Sequence, residues 1–469
     1  MNIVINSRVG WRRIGDGVVV FNCENQKIVI WNEVASRLWE MLYKGFDFNA
    51  LTSWLSCEYS LNLKKARKDV FNFIHEAASM DFIGFNNDYV DKVESEISGN
   101  SKDGENVLLA IEMEAIKNLI PFAITFETTH TCNERCIHCY MDRNISALSF
   151  QEIKRILEKI ALEGCLFVSF TGGEFLTRKD SVEIIECASG MNFVIDILSN
   201  GTLINQDIAK TFVKHSVRRV QISLYGATKK THDSITSLPG SFEKTLKGIE
   251  YLKKEGIKVE IAFPLMNVNF KERYLVKDLV ESMECLLSPS HIITARNNGS
   301  KDTFSLRIND RQLLDFLKDK KLSKLYAGRK PFQTHQFYFG FADLNDAAPC
   351  YSGFNSCAIT PSGKVLPCNQ LLYETGDLKM ENFSTIWRSS PQFKYLRSLT
   401  IRDLPKCSGC ELLKFCARCP GLAMLEGGDL LGPSPENCRV TCADISLKKG
   451  GKQDGKNIRS ATRQDERRH

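Results

Sequence analysis

Thr131-Cys132-Asn133-Glu134-Arg135-Cys136-Ile137-His138-Cys139-Tyr140 sets three thiols within eight residues, directly after the apolar run 122–126. Three cysteines on one loop can hold three irons of a four-iron cubane and leave the fourth to an external ligand. A structural zinc site would want a fourth protein ligand, for which His138 is available. Downstream, Thr171-Gly172-Gly173-Glu174 follows the run 166–170, Ser199-Asn200-Gly201 follows 193–198, and Ser223 stands near the end of 220–224. Two glycines let a ligand approach the backbone closely, and a carboxylate beside them can accept from an ammonium group. Alone, each motif is an ordinary turn or strand-end cap. In this order, each at the end of an apolar run, they read as one site.

Working outward, runs at 166–170, 193–198, 220–224, 259–263 and 291–295 alternate with helical segments. Ser149-Phe150-Gln151-Glu152 is a capping box, followed by Ile153, Ile156, Leu157 and Ile160 at helical spacing and by Gly164 as terminator. Repeated strand–helix units predict an α/β fold with a parallel sheet, curved or closed, and ligands at the carboxyl ends of its strands.

The flanks read as separate units. Residues 1–85 contain two β-branched and aromatic runs around the turn Glu24-Asn25-Gln26, then helices with apolar faces Val34, Leu38, Met41, Leu42 and Ala66, Val70, Phe73, Ile74, Ala77. A strand pair plus three helices is the winged-helix pattern. Residues 86–106 are polar with no apolar period, so 86–120 is expected to be a linker before a barrel at 121–300. A bridging region covers 301–349. Residues 350–445 are rich in Cys, Gly and Pro and too weakly periodic to fold well alone, so metal clusters are expected to add stability.

The net charge of +6 resides mostly in residues 448–469, where eight Lys and Arg face three Asp and Glu. Residues 446–469 therefore read as a basic, disordered tail. Residues 1–85 carry ten Lys and Arg against nine Asp and Glu, too even a balance for a phosphate-binding surface, so no nucleic acid is expected. No run approaches the roughly 18 apolar residues of a membrane span, and the first 13 residues are not a signal peptide. The expectation is a cytoplasmic protein without a membrane partner. Seventeen cysteines in that compartment point to metal ligation rather than disulfides. Five are scattered and read as small buried hydrophobes, three lie in the opening loop, and nine fall between 350 and 442.

The Cys-x3-Cys-x2-Cys loop with its following aromatic resembles the signature of the radical S-adenosylmethionine (SAM) superfamily. That resemblance implies a partial (βα)6, TIM-like barrel in which Cys132, Cys136 and Cys139 hold a [4Fe–4S] cluster whose open iron takes the amino and carboxylate groups of SAM. It places Tyr140, Gly172, Gly173, Glu174, Ser199, Asn200 and Ser223 around SAM, and implies reductive cleavage to a 5′-deoxyadenosyl radical with electrons from a donor such as flavodoxin or ferredoxin.

The nine later cysteines resemble the SPASM domain, which carries two auxiliary [4Fe–4S] clusters and makes three in all. By position, Cys350, Cys357, Cys368 and Cys419 would hold one, and Cys407, Cys410, Cys416 and Cys438 the other, with Cys442 competing for the last place. A pair of zinc knuckles is the plainer alternative. The Cys416–Cys419 spacing is one residue shorter than the commonest family spacing. Asn369 stands where sulfatase-maturing relatives have an Asp base, which disfavours that activity.

Residues 1–85 resemble the PqqD-like element that captures the leader of a ribosomally made precursor peptide. The resemblance implies that a leader adds as a strand beside Lys27, Ile28, Val29, Ile30 and Trp31 and leans on Ala66, Val70 and Phe73. Both faces of 28–31 are apolar, more than a core hairpin alone explains. Together these resemblances imply a maturase of a ribosomally synthesised, post-translationally modified peptide, with a thioether crosslink as first choice and carbon–carbon or carbon–oxygen crosslinking or epimerisation open. A radical SAM enzyme of a small metabolite and an iron–sulfur or zinc transcriptional sensor are the rivals.

Overall fold

The computed structural model of the chain describes residues 2–86, 104–141, 145–325 and 343–448. Chain order begins with strands β1 (Asn2–Ile5), β2 (Val9–Ile14), β3 (Gly17–Asn22) and β4 (Ile28–Trp31), helices α1 (Glu33–Tyr43), α2 (Phe48–Glu58) and α3 (Leu63–Ser79), and β5 (Ile83–Asn86). Asn32, Asp47 and Asn62 cap the three helices, each accepting from the N–H three residues on. β2, β3 and β4 form an antiparallel sheet with β4 at its edge, and β1 pairs with β5.

Strand alternation gives β4 two cores. Val29 and Trp31 turn toward α1–α3, where Trp31 meets Trp39 and Phe73, each at 5.1 Å between rings. Ile28 and Ile30 turn the other way, onto Ile111 and Ala115 of α4 (Gly104–Lys117) and onto the barrel. The double-sided apolar character of β4 therefore follows from its being sandwiched, and is no sign of a docked peptide. Ala66, Val70 and Phe73 are corrected too: at 0, 0 and 6% exposure they belong to the core and offer no surface. Helix α4 lies within the expected linker because Val107, Ile111 and Ala115 find apolar partners on β4 and the barrel. Residues 87–103 of that segment lie outside the described residues.

The barrel runs β6 (Ala123–Thr129), α5 (Phe150–Leu162), β7 (Phe167–Gly172), α6 (Ser181–Gly190), β8 (Val194–Ser199), α7 (Gln206–Lys214), β9 (Val217–Ser223), α8 (Lys229–Thr236), α9 (Ser241–Lys254), β10 (Lys258–Pro264), α10 (Arg273–Ser282) and β11 (Leu286–Ser290). These six strands are parallel and in sequence order from β6 to β11. The capping box of Ser149 and Glu152 starts α5 as expected. The last strand is not at 291–295 but precedes it. Pro289 hides it in the sequence, yet β11 is an edge, where a missing N–H removes no ladder bond.

After α11 (Asp310–Lys318), β12 (Ser356–Ile359) adds in parallel to β6 and continues antiparallel into β13 (Lys364–Leu366) and β14 (Gly376–Asp377). Helices α12 (Phe383–Ser389), α13 (Pro391–Ser398), α14 (Pro420–Gly427) and α15 (Pro435–Lys448) complete the described chain. Phe383, Ile386, Trp387 and Phe393 join the barrel's own core. The cysteine-rich region thus leans on barrel packing and not on metal alone. Of the expected tail, residues 446–448 end α15 and the rest lies outside the described residues.

The amino-terminal sheet is bolted to the amino ends of the barrel strands. The Arg12 guanidinium donates to the carbonyls of Cys165 (2.6 Å) and Met191 (2.7 Å), and Arg8 to that of Val213 (3.0 Å). Gly10 allows the close approach, since a Cβ there would meet the Val194 side chain at 2.6 Å. The motifs read from the sequence lie at the opposite, carboxyl ends. Among the described residues, no helix is long and apolar enough to cross a membrane.

Candidate active site

The carboxyl ends of the strands line a cleft of about 410 Å3 open to solvent. Cys132, Cys136, Cys139, Tyr140, Gly172, Gly173, Ser199, Asn200 and Ser223 all line it. Nine of the ten residues expected around the first cluster and SAM are therefore brought to one place.

Glu174 is the tenth, and it lies beneath the floor. It is 1% exposed, and its carboxylate accepts from the Asn200 N–H (2.7 Å), the Ser199 hydroxyl (3.0 Å) and the Leu176 N–H (3.1 Å). Burial pushes its carboxyl up while these donors hold it down. Its part in this geometry is to fasten β8 to the turn after β7. The two glycines also serve the chain itself: a Cβ on Gly172 would sit 2.1 Å from the Thr129 carbonyl oxygen, and one on Gly173 2.3 Å from that of Thr131. Only bare backbone lets the strand leading into the cysteine loop pass so close, and Gly173 and Glu174 donate N–H bonds to those carbonyls.

The three thiols sit half-buried. Burial pushes Cys132 up to about 11 and Cys136 further, and raises the Glu134 carboxyl to about 7. The Cys136 thiol donates to Glu134 Oε2 at 3.3 Å, while the Glu134 N–H donates to Cys132 Sγ at 3.4 Å. Thiols held neutral by burial become good ligands once a metal supplies positive charge. The donor set fits a cluster with one open iron: three thiols on one loop and an N–H bond to sulfur, with the His138 ring packed at a tilt on Tyr225, 4.9 Å between centroids. Among the described residues, no three His, Cys, Asp or Glu side chains converge as for a single ion.

The later cysteines form two groups. The Cys368 thiol is pushed up to about 12 by burial and by its neighbours Cys350 and Cys419. Cys357, expected beside them, is elsewhere. It lies in β12 opposite Ile124, 3% exposed, beside the Cys165 thiol and the Arg397 guanidinium. Strand alternation turns it into the barrel core, so it is no member of the first group. The Cys438 thiol, raised to about 12 by burial, is surrounded by Cys416, Cys407, Cys442 and Cys410. Cys442 stands one turn further along α15, beside Cys438 and Cys410.

Sequence reasoning overlooked Gln221, Tyr225, Ser290, Thr294 and Gln370 as lining residues, and gave Asn369 no place in the cleft. Gln221 was recoverable, being two residues before Ser223 on β9 and so on the same face. Asn369 and Gln370 directly follow Cys368, and the Asn369 side chain bonds the buried Tyr140 phenol, which also lies 3.4 Å from Glu127 Oε1. The cysteine-rich region therefore supplies one wall of the cleft.

Comparison with known proteins agrees. Residues 126–279 match the radical SAM superfamily and residues 350–420 match SPASM, an iron–sulfur cluster-binding domain. The chain is 28% identical over 337 residues to AdoMet-dependent heme synthase of Methanosarcina barkeri, covering 67% of this chain and 95% of that one. It is 26% identical over 322 residues to the antilisterial bacteriocin subtilosin biosynthesis protein AlbA of Bacillus subtilis, covering 64% and 67%. In fold it is similar to Streptococcus suis SuiB, solved bound to precursor peptide SuiA, with a TM-score of 0.57, 16% identity and coverage of 90% and 97%. With the cysteine loop at the cleft and the second cysteine-rich region walling it, the chain is a radical SAM enzyme whose radical SAM domain is followed by a SPASM domain.

Proposed function

We propose that the protein is a maturase of a ribosomally made precursor peptide, forming a thioether crosslink from a substrate cysteine. The observation that carries this reading is the cleft itself, floored by Cys132, Cys136 and Cys139 and walled by Asn369 and Gln370 from the SPASM domain. When bound, a [4Fe–4S] cluster and SAM supply a radical able to take hydrogen from an unactivated carbon. Tyr140, Gly172, Gly173, Ser199, Asn200 and Ser223 surround SAM, with Glu174 bracing them from below. Cys407, Cys410, Cys416 and Cys438 hold one auxiliary cluster. Cys350, Cys368 and Cys419 hold the other and leave one of its positions to a ligand other than cysteine. Electrons come from a flavodoxin- or ferredoxin-like donor.

A tetrapyrrole substrate is the second reading, since heme synthases share the greater part of the chain. A porphyrin with several carboxylates wants cations, and the described residues lining this cleft include no Lys or Arg. Its amides and hydroxyls suit a neutral peptide better. Support for peptides also comes from AlbA, a bacteriocin biosynthesis protein, and from SuiB with its precursor. The leader would dock on β4, which has β3 on one side and no strand on the other among the described residues.

The deciding experiment offers the anaerobically reconstituted enzyme, with reductant and SAM, a short cysteine-rich peptide encoded beside its gene, and separately iron-coproporphyrin. Loss of two hydrogens from the peptide supports the reading. Decarboxylation of the porphyrin with the peptide untouched overturns it.

A further inference from the structure

The segment following the cleft loop, residues 296–307, makes contacts that the proposed chemistry does not use. Asp302 fixes the Arg296 guanidinium: Nε donates to both carboxylate oxygens at 2.8 and 3.0 Å, and Nη2 to Oδ2 at 2.9 Å. The guanidinium also faces the cysteine loop. Nη1 donates to the Cys139 carbonyl at 2.6 Å, and Nη2 to that of Ile137 at 3.3 Å. One residue on, the Asn297 N–H donates to the Tyr140 carbonyl at 2.8 Å. Three peptide units around the last cysteine thus hang on two consecutive residues. The far end of the segment is anchored as well. Lys301 Nζ donates to the Glu426 carbonyl at 2.8 Å, and Arg307 pairs with the carboxylates of Glu426 (2.6 Å) and Glu436 (3.4 Å). Those residues lie on α14 and α15, which begin beside Cys419 and carry Cys438.

We propose that Arg296 is a positioning residue for the first cysteine group. Clamped by Asp302, it sets the place of Cys139 and Tyr140 through their peptide units and keeps a fixed positive charge beside the cluster those thiols hold. The inference rests on the assignment of Cys132, Cys136 and Cys139 to a cluster. A planar guanidinium with five N–H donors can grip both carboxylate oxygens and two carbonyls at once, four acceptors that the three donors of a lysine ammonium cannot serve together. The charge favours the reduced, more negative cluster, so its removal makes reduction harder.

The test uses the holoenzyme and the variants Arg296→Gln, Arg296→Lys and Asp302→Asn, read by iron content, cluster midpoint potential, electron paramagnetic resonance with and without SAM, and 5′-deoxyadenosine release. Arg296→Gln should keep its iron, move the first cluster's potential to more negative values, weaken the SAM-induced spectral change and lower release by roughly tenfold, the scale of losing hydrogen bonds from a charged donor. Arg296→Lys should restore the potential more than the spectrum, because charge returns without the fork. Asp302→Asn should fall between. Wild-type potential and spectrum in Arg296→Gln would overturn the proposal. If that variant fails to load iron at the first group, wild-type behaviour of Asp302→Asn overturns it instead. A wild-type enzyme with no SAM-responsive cluster signal sinks the cluster assignment and this inference together.

Discussion

The Nδ2 of Asn200 donates to the Oδ1 of Asn133 at 2.9 Å, tying the carboxyl end of β8 to the loop between the first two cysteines. Asn133 in turn donates to the Thr202 hydroxyl at 2.8 Å, and that hydroxyl to Asn200 Oδ1 at 2.7 Å, which closes a ring of three side chains. Asn200→Ala breaks two of the three bonds and removes an amide from the cleft. SAM affinity should fall by roughly tenfold, the about 1.4 kcal/mol scale of losing one amide's hydrogen bonding in the cleft, with iron content unchanged. Asn133→Ala leaves Asn200 in the cleft and should weaken SAM less. Calorimetry with SAM on both variants checks the order, and equal losses would mean that Asn200 acts only through the loop.

The position of Cys357 separates core from ligand. Three four-iron clusters correspond to about twelve irons per chain, and Cys368→Ala should lose up to about four of them. Cys357→Ala should keep them all and lose about 1 kcal/mol of stability to a small core cavity. Iron analysis beside a thermal melt distinguishes the two. Iron loss from Cys357→Ala would return it to the ligand set.

The five thiols of the last group are unequal. Cys438 lies among four thiols and Cys442 beside two, Cys438 and Cys410, so Cys438→Ala should lose iron or fail to fold, whereas Cys442→Ala should match wild type within about 0.5 kcal/mol. The reverse pattern would reassign the ligand.

How far the sequence reached depends on what each residue's neighbours decide. β7 to β9 were legible because apolar runs ending in Gly or Ser fix both a buried strand and its polar end. β11 was not, since Pro289 counts against a strand unless the sheet order is known. Cys357 and the face Ala66, Val70, Phe73 share one cause: residue type and spacing identify a cysteine or an apolar stripe, but only packing tells which way it points. Glu174 sits where the motif predicts, yet its carboxylate serves the protein's own N–H groups, a partner no spacing reveals.

Stability should fall with acid. His232 and His291 are fully buried, and burial pushes both imidazoles down to about 4. The Tyr225 N–H donates to His232 Nδ1 at 3.3 Å, which requires that nitrogen unprotonated. An unfolded histidine titrates near 6.5, so between about pH 6.5 and 4 the unfolded chain binds protons that the native chain refuses. Stability is therefore full above that window and declines below it, by up to about 3 kcal/mol for one such histidine at pH 4. Thermal melts of the metal-free protein from about pH 7.5 to 5 should show the decline, and His232→Gln should flatten it. An unchanged slope in the variant would refute the assignment.

The final prediction follows from the two ends of the barrel. The amino-terminal sheet is fastened at the amino ends of β7 to β9, through Cys165, Met191 and Val213, while the cleft lies at the carboxyl ends. A six-residue strand such as β7 spans about 20 Å at about 3.3 Å per residue. A leader docked on β4 must cross at least that distance before its core reaches the thiols. An extended chain advances at most about 3.6 Å per residue, so at least about six residues must separate the docked segment from the reacting one. The bond from the Asn22 N–H to the Lys27 carbonyl (2.9 Å), continued by strand alternation, leaves the N–H groups of Ile28 and Ile30 on the free edge. Ile28→Pro should therefore weaken leader binding several-fold while leaving uncoupled SAM cleavage intact. Shortening the precursor's spacer below about six residues should abolish conversion without changing leader affinity. Peptide binding by fluorescence anisotropy and conversion by mass spectrometry, measured on the same peptides, keep the two claims apart. A leader whose deletion changes nothing refutes docking, whereas full conversion of a precursor with a much shorter spacer places the docked leader somewhere other than β4.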